Sequence, residues 1–147
     1  MNQSRKIIVG LSGGLDSTMT AYLLSKIPNT KVVGVHLRTW DLADEMGQDP
    51  CPNSLQDWTD VQSHCKLLNI ECMQLNYTKS YWSRVFDPFL TRLASGETPN
   101  PDVGCNKEIK FGVFMEYALE VLKADFVATG HYARVDMNGQ LLRGIFF

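Results

Sequence analysis

Lys6-Ile-Ile-Val-Gly-Leu-Ser-Gly-Gly-Leu-Asp-Ser17 is the stretch whose reading decides the fold. Its β-branched run from Lys6 to Gly10 ends in glycine, as a buried strand does when it enters a turn. The turn is Leu11 to Ser17. From Ser17, residues Met19, Leu23 and Ile27, with Leu24 beside them, recur at helical spacing until Pro28 and Asn29 break the pattern. The stretch therefore predicts strand, glycine loop and helix in that order.

Downstream, Lys31 to Leu37 predicts a second strand, and the polar segment from Arg38 to Leu55 a long excursion of the kind that tends to carry function. Gln56 to Leu68 predicts a helix through Val61, Cys65 and Leu68. Glu71 to Leu75 then predicts a strand and Tyr81 to Leu93 a helix. Gly96 to Cys105, with two prolines and two glycines, predicts a loop; Ile109 to Leu122 predicts a helix and Asp125 to Thr129 a fourth strand. Asn138-Gly139 between short apolar runs predicts a hairpin. Strands alternating with helices predict an α/β fold with a doubly wound parallel sheet, and ligands at the carboxyl ends of its strands.

The 147 residues, 44% hydrophobic and 20% charged, are read as one domain. A net charge of -2 means that no whole-domain basic field announces nucleic acid, so such a partner has to be argued from the site. Cys51, Cys65, Cys72 and Cys105 form no CxxC pair and no histidine follows at zinc-ligand spacing, so no metal site of that kind is expected and the thiols are read as reduced. With no apolar leader core and no apolar run of about eighteen residues, the reading is a soluble chain with no membrane partner.

In Ser12-Gly13-Gly14-Leu15-Asp16-Ser17, small residues let backbone N–H groups approach a phosphate, and the helix N-terminus adds partial positive charge. No GK[ST] follows, which excludes a Walker A loop. Asp16 would repel phosphate unless a Mg²⁺ ion reversed the sign. The plainer alternative is a glycine turn with Asp16 or Ser17 as helix N-cap.

This SGGxDS pattern after a β-branched strand resembles the pyrophosphate loop of the ATP pyrophosphatases, whose fold is that of the adenine nucleotide α hydrolases. The resemblance implies ATP cleaved between its α and β phosphates. Two further stretches narrow it. Thr98 to Gly112, TPNPDVGCNKEIKFG, and Ala128 to Arg134, ATGHYAR, resemble segments of the tRNA-specific 2-thiouridylases. That likeness implies adenylation of the C2 oxygen of a wobble uridine, followed by sulfur transfer from a cysteine persulfide. It implies ATP and Mg²⁺ as cofactors, tRNA of the Lys, Glu and Gln type as substrate, and a sulfur-donor protein of the cysteine desulfurase and persulfide relay as partner. By motif position Gly10, Leu11, Ser12, Gly13, Gly14, Leu15, Asp16 and Ser17, with Leu37 and Gly130, would hold the nucleotide. Asn100, Pro101 and Asp102 would meet the base, with Asp102 as acid or base, and Cys105 would be the attacking or resolving thiol.

Adenylation makes a carbonyl oxygen a leaving group and a sulfur nucleophile can then attack. Cys105 is expected near a helix start, with Lys107 and Lys110 close by to lower its thiol pKa. For Cys51, Cys65 and Cys72 a packing or merely exposed role is expected. His131 is read equally as a nucleotide contact or a hydrogen-bonded structural histidine. Trp40, Trp58 and Trp82 are expected to pack rather than stack on bases.

Members of that family are more than twice as long, with a central domain, a β-barrel and a second catalytic cysteine. Residues 1–147 are therefore expected to be the N-terminal ATP-binding domain of such an enzyme, as a fragment, a truncated product or a shortened form, with 136–147 opening a hairpin. The stretch Arg38 to Cys65 looks more like the mitochondrial than the bacterial branch, which sets mitochondria as the expected compartment and bacterial cytoplasm as the alternative. Two rivals stay open: an amide-forming synthetase that uses ammonia, and a non-catalytic nucleotide-binding module.

Overall fold

A computed structural model describes residues 4–40, 52–142 and 144, and for 52–54 the backbone only. Four parallel strands, β1 (Arg5–Leu11), β2 (Thr30–Arg38), β3 (Glu71–Asn76) and β4 (Phe126–Ala128), lie in the order β3-β2-β1-β4. Ile7 pairs with Val32 on one side of β1 and with Phe126 on the other, so the first strand of the chain is central. Its β-branched run is buried on both faces, as a central parallel strand requires.

Alternation along β1 divides the core. Ile7, Val9 and Leu11 pack with Ala21, Val61 and Cys65 under α1 (Leu15–Ser25) and α2 (Pro52–Leu68). Ile8 faces the other way, with Val33 and Val35, onto Phe114 and Ala118. Helices thus cover both faces, which is the doubly wound arrangement expected. Gly34 leaves room in the middle of β2: a Cβ there would sit 2.5 Å from Leu11 Cδ1 and 3.0 Å from Cys65 Sγ, so both side chains would have to shift.

Two longer helical segments lie between β3 and β4. The first, α3, comprises Thr78–Tyr81, a wider π-helical stretch Trp82–Phe86, and Asp87–Ala94. The second, α4, comprises Pro101–Gly104, a π-helical stretch Cys105–Val113, and Phe114–Glu120. A hairpin of Arg134–Val135 against Leu141–Leu142 follows β4, and Gly139 takes φ +80° at its turn.

Two boundaries and one buried face differ from expectation. Within the excursion expected from Arg38 to Leu55, residues 41–51 lie outside the described residues, and α2 starts at Pro52 rather than at Gln56. The loop expected from Gly96 to Cys105 closes early, because Asn100 caps α4: its side-chain oxygen accepts the Asp102 N–H at 2.8 Å, with Pro101 at the first helical position. Met19 and Leu23 on α1, and Ile27 just beyond it, are exposed, while Ser17 and Ala21 are buried and Leu24 packs beside them, since small residues bring the helix close to the sheet.

Candidate functional site

The glycine loop between β1 and α1 is held by its own short side chains. Ser17 Oγ accepts the Ser12 N–H at 3.2 Å and donates to the Gly14 carbonyl at 3.1 Å; Ser12 Oγ accepts the Gly14 N–H at 3.3 Å. Gly13 takes φ +88°, and its Cβ would meet the Asp57 carbonyl oxygen of α2 at 3.1 Å. Gly14 is the N-cap of α1 and no side chain caps the helix, so neither Asp16 nor Ser17 is spent as a cap. Ser17 is buried, whereas the Asp16 carboxylate is exposed and bonds to no described residue.

Gly130, just past β4, closes against this loop. A Cβ there would lie 2.7 Å from Ser17 N and 2.9 Å from Ser17 Cα, so only glycine lets the end of β4 touch the first turn of α1. Above that contact opens a cavity of about 380 Å³ at the carboxyl ends of β1, β2 and β4, where an open α/β sheet seats its ligands. From Gly10 to Ser17, every residue except Gly13 lines it, and so do Leu37, Gly130 and Cys105. Gly13, Asn100, Pro101 and Asp102 do not reach its wall. Gly13 instead shapes the loop from behind, and Asn100 and Pro101 start the helix that brings Cys105 in.

Several lining residues were not singled out as ligand contacts in the sequence: Lys110, Phe114, His36, Thr39, Asp57 and Thr129. His36 is buried and its Nδ1–H donates to the Leu11 carbonyl at 3.0 Å, which ties β2 to the start of the loop. Lys110 is half-buried and pairs with no described residue. It was legible as a cation near Cys105, but the wide π-helical turn that aims it at the cavity was not.

Cys105 lies in the second turn of α4, not at its start, and its thiol is pushed up rather than down. Burial is the largest cause; Lys110 opposes it and Asp102 reinforces it. Lys107, expected to help, points outward with its ammonium 3.2 Å from Glu108 Oε1. Tyr81 of α3 also faces this region: burial raises its phenol first, then Cys105 and Asp102. The physical reason for the raised thiol is packing, since α3 lies against α4 and dries it.

His131 joins β4 to α4. Its Nε2–H donates to Asn106 Oδ1 at 3.1 Å, and its Nδ1 accepts the Thr129 hydroxyl at 2.8 Å. Burial, then Lys110, lowers its pKa below the ordinary histidine range. It thus lines the cavity and is hydrogen-bonded at the same time. Trp40 packs on Tyr81 and Phe86 at 5.8 and 4.9 Å between ring centres, and Trp58 on His36 at 5.9 Å, which is the packing role expected of them. Cys65 is buried, its thiol pushed up to about 12 by burial and then by Cys72. Cys65, Cys72 and Cys105 are free thiols, and Cys51 lies outside the described residues. No helix among the described residues is long and apolar enough to cross a membrane.

A parallel sheet whose central strand opens through a glycine loop into a helix, over a cavity holding a cation and a thiol, defines an α/β domain of the nucleotide-binding type. The particular family follows from comparison: residues 5–145 match the tRNA methyl transferase HUP domain, and the chain belongs to that family. It is 47% identical over 147 residues to a protein of Proteus mirabilis named tRNA-specific 2-thiouridylase MnmA, covering 98% of this chain and 39% of that protein. A protein of the same name from Buchnera aphidicola is 45% identical over 148 residues, covering 99% and 39%. The chain thus spans about two fifths of the length of the curated relatives it matches. Among solved structures, an ammonia-dependent NAD synthetase of Campylobacter jejuni aligns with a TM-score of 0.51 at 20% identity, over 86% of this chain and 47% of that one. A described NMN synthetase of Francisella tularensis aligns at 0.50 and 22%, over 86% and 44%. These two establish the fold alone.

Proposed function

We propose that this chain binds ATP in the cavity and supplies the base-activating part of a tRNA 2-thiouridylase. The observation that carries the reading is that the glycine loop and Cys105 face one cavity, although nearly ninety positions separate them in sequence. An amide-forming synthetase has no use for a thiol there. The named relatives at 45 to 47% identity support the same assignment.

The residues present fit ATP. The positive φ of Gly13 and the missing side chain of Gly130 let the loop backbone and the first turn of α1 come close to a phosphate, and Lys110, which pairs with no described residue, offers a cation on the cavity wall. The exposed Asp16 carboxylate is the group that would hold a Mg²⁺ ion between itself and the phosphates. When bound, ATP supplies the adenylyl group that turns the uridine C2 oxygen into a leaving group.

The chain's own residues then have separate tasks. Asn100 and Pro101 hold the first turn of α4, so that Asp102 and Cys105 stand one turn apart. Cys105 is either the attacking group or the resolving thiol. In the first case the outer sulfur of a persulfide passed to it adds at C2 as AMP leaves; in the second its thiolate attacks the carrier cysteine's sulfur, closes a disulfide and leaves the outer sulfur on C2. Asp102 exchanges protons with the base. His131 locks α4 to β4, which keeps the thiol over the nucleotide loop. The tRNAs of Lys, Glu and Gln type and a persulfide-carrying donor protein belong to the same proposal.

Titration calorimetry with ATP and Mg²⁺ tests it. The parent protein is expected to bind, and Asp16→Ala to bind Mg²⁺-ATP at least about tenfold more weakly, the loss of one charge-assisted metal contact. A folded parent that gives no heat with ATP would refute the reading.

A further inference from the structure

Among the described residues Lys110 is the one lysine or arginine on the cavity wall, and no described carboxylate pairs with it. It lies between two anionic destinations. On one side is the glycine loop, shaped for phosphate; on the other is Cys105, five residues earlier on the same wide helical turn.

We propose that Lys110 is a positioning residue that serves these two anions in turn, holding the outer phosphates while the nucleotide is intact and the Cys105 thiolate once pyrophosphate has left. This rests on the ATP reading above and adds an order of events to it. With phosphate present, the net field at Cys105 is no longer positive, so its proton stays on sulfur and the thiol cannot attack early. When pyrophosphate departs, the ammonium again opposes burial and Asp102 at Cys105, so the thiolate fraction rises above its value with phosphate present and the proton passes to solvent.

The other groups facing Cys105 cannot do this. Asp102 precedes it on α4 and disfavours the thiolate, and Tyr81 on α3 is held protonated. Across the cavity, Asp16 and Asp57 are acidic, while His36 and His131 are committed to hydrogen bonds with Leu11, Thr129 and Asn106. Burial, and then Asp102, raises the Cys105 thiol, and Lys110 is the group that opposes them.

The test is the pH profile of Cys105 alkylation by iodoacetamide, read by mass spectrometry, on the full chain with and without inorganic pyrophosphate. Without ligand, Lys110→Gln should move the midpoint up, so that alkylation near neutral pH slows about threefold to tenfold, as loss of a close opposite charge does. Lys110→Arg should restore the parent profile. Pyrophosphate should move the parent midpoint up in the same sense while the alkaline plateau stays, and should add no further shift in Lys110→Gln. A Lys110→Gln profile that superimposes on the parent's overturns the proposal, and so does pyrophosphate that lowers the plateau without moving the midpoint, because that is steric shielding. Calorimetry on the same samples separates the two readings. If ATP and pyrophosphate bind but Lys110→Gln leaves the profile unmoved, the ATP site stands and the shared charge falls; if neither binds, both fall. Unchanged melting temperatures of the two variants show that the fold is not the cause.

Discussion

The two walls of the cavity are built by different means. The glycine-loop wall is a backbone structure: Gly13 needs positive φ, Gly130 touches the first turn of α1, and Ser12 and Ser17 bond only within the loop. The α4 wall is a side-chain structure, in which Asn100 caps, His131 clamps, and burial and Lys110 set the state of Cys105. The difference teaches where each is vulnerable. The first fails when an atom is added, the second when a hydrogen bond or a charge is removed.

The strongest way to break the first wall is Gly130→Val. A Cβ 2.7 Å from Ser17 N has backbone on the far side, and neither β4 nor α1 can yield without losing sheet contacts. We expect a stability loss of roughly 3 kcal/mol and no detectable ATP binding by calorimetry, beyond ordinary overpacking because the obstacle is main chain. Denaturant unfolding gives the first number. A variant with parent stability and affinity would show that the loop is not seated on β4 as described.

Gly13→Ala sharpens the same side with a smaller change. Left-handed φ costs an alanine about 1–2 kcal/mol, and the Asp57 carbonyl 3.1 Å away adds crowding. ATP affinity should fall with stability, whereas Gly139→Ala, also at positive φ but with open space around it, should lose stability in the hairpin and keep affinity. Equal affinity losses in the two variants would erase the distinction between the loop and an ordinary turn.

On the other wall, Asn100→Ala removes the cap of α4 and should cost about 1 kcal/mol of stability. Its larger readout is chemical, because fraying of the first turn rehydrates the Cys105 thiol and raises its alkylation rate near neutral pH. Asn100→Asp keeps an acceptor for the Asp102 N–H and should retain the stability. An alanine variant with unaltered stability and thiol reactivity would mean that the cap does not hold the cysteine.

How much of this was legible follows from the same contrast. The glycine wall is local in sequence, so one strand, one loop and one helix could be read from twelve consecutive residues, and the alternating elements after them led to the doubly wound parallel sheet. The α4 wall depends on contacts between segments far apart. Asn100-Pro101 carries a cap and first-turn signal, yet among two prolines and two glycines it reads as loop. Lys107 and Lys110 look equivalent in sequence; only the wide turn decides that Lys110 faces the cavity while Lys107 meets Glu108. The rise in the Cys105 pKa was hidden for a related reason, because the helix that dries it lies some twenty residues away in the chain. Gly130 could be placed by motif, but its cause, contact with Ser17, is tertiary.

The smallest expected effect compares the two buried thiols and turns on sign. Cys65, on the sheet-facing side of α2, is 1% exposed and off the cavity wall, and its pKa is raised from 9.0 to about 12 by burial and then by Cys72. Below the unfolded value both states keep the proton and the stability is fully present. Above it the unfolded chain ionises first, so stability is lost as pH rises from about 9 towards the folded value, with a slope of at most about 1.4 kcal/mol per pH unit for one group. Cys105, Tyr77 and Tyr81 are raised in the same direction, so the parent's decline is a sum. Cys65→Ala isolates one share: it starts less stable near neutral pH because a cavity replaces the sulfur, then loses less on going to alkaline pH, so the gap between the two melting temperatures narrows. Thermal unfolding followed at about pH 8 and about pH 10 reads the gap directly. A gap that stays constant would show that the Cys65 thiol titrates alike in both states, and that burial between α2 and the sheet does not hold its proton.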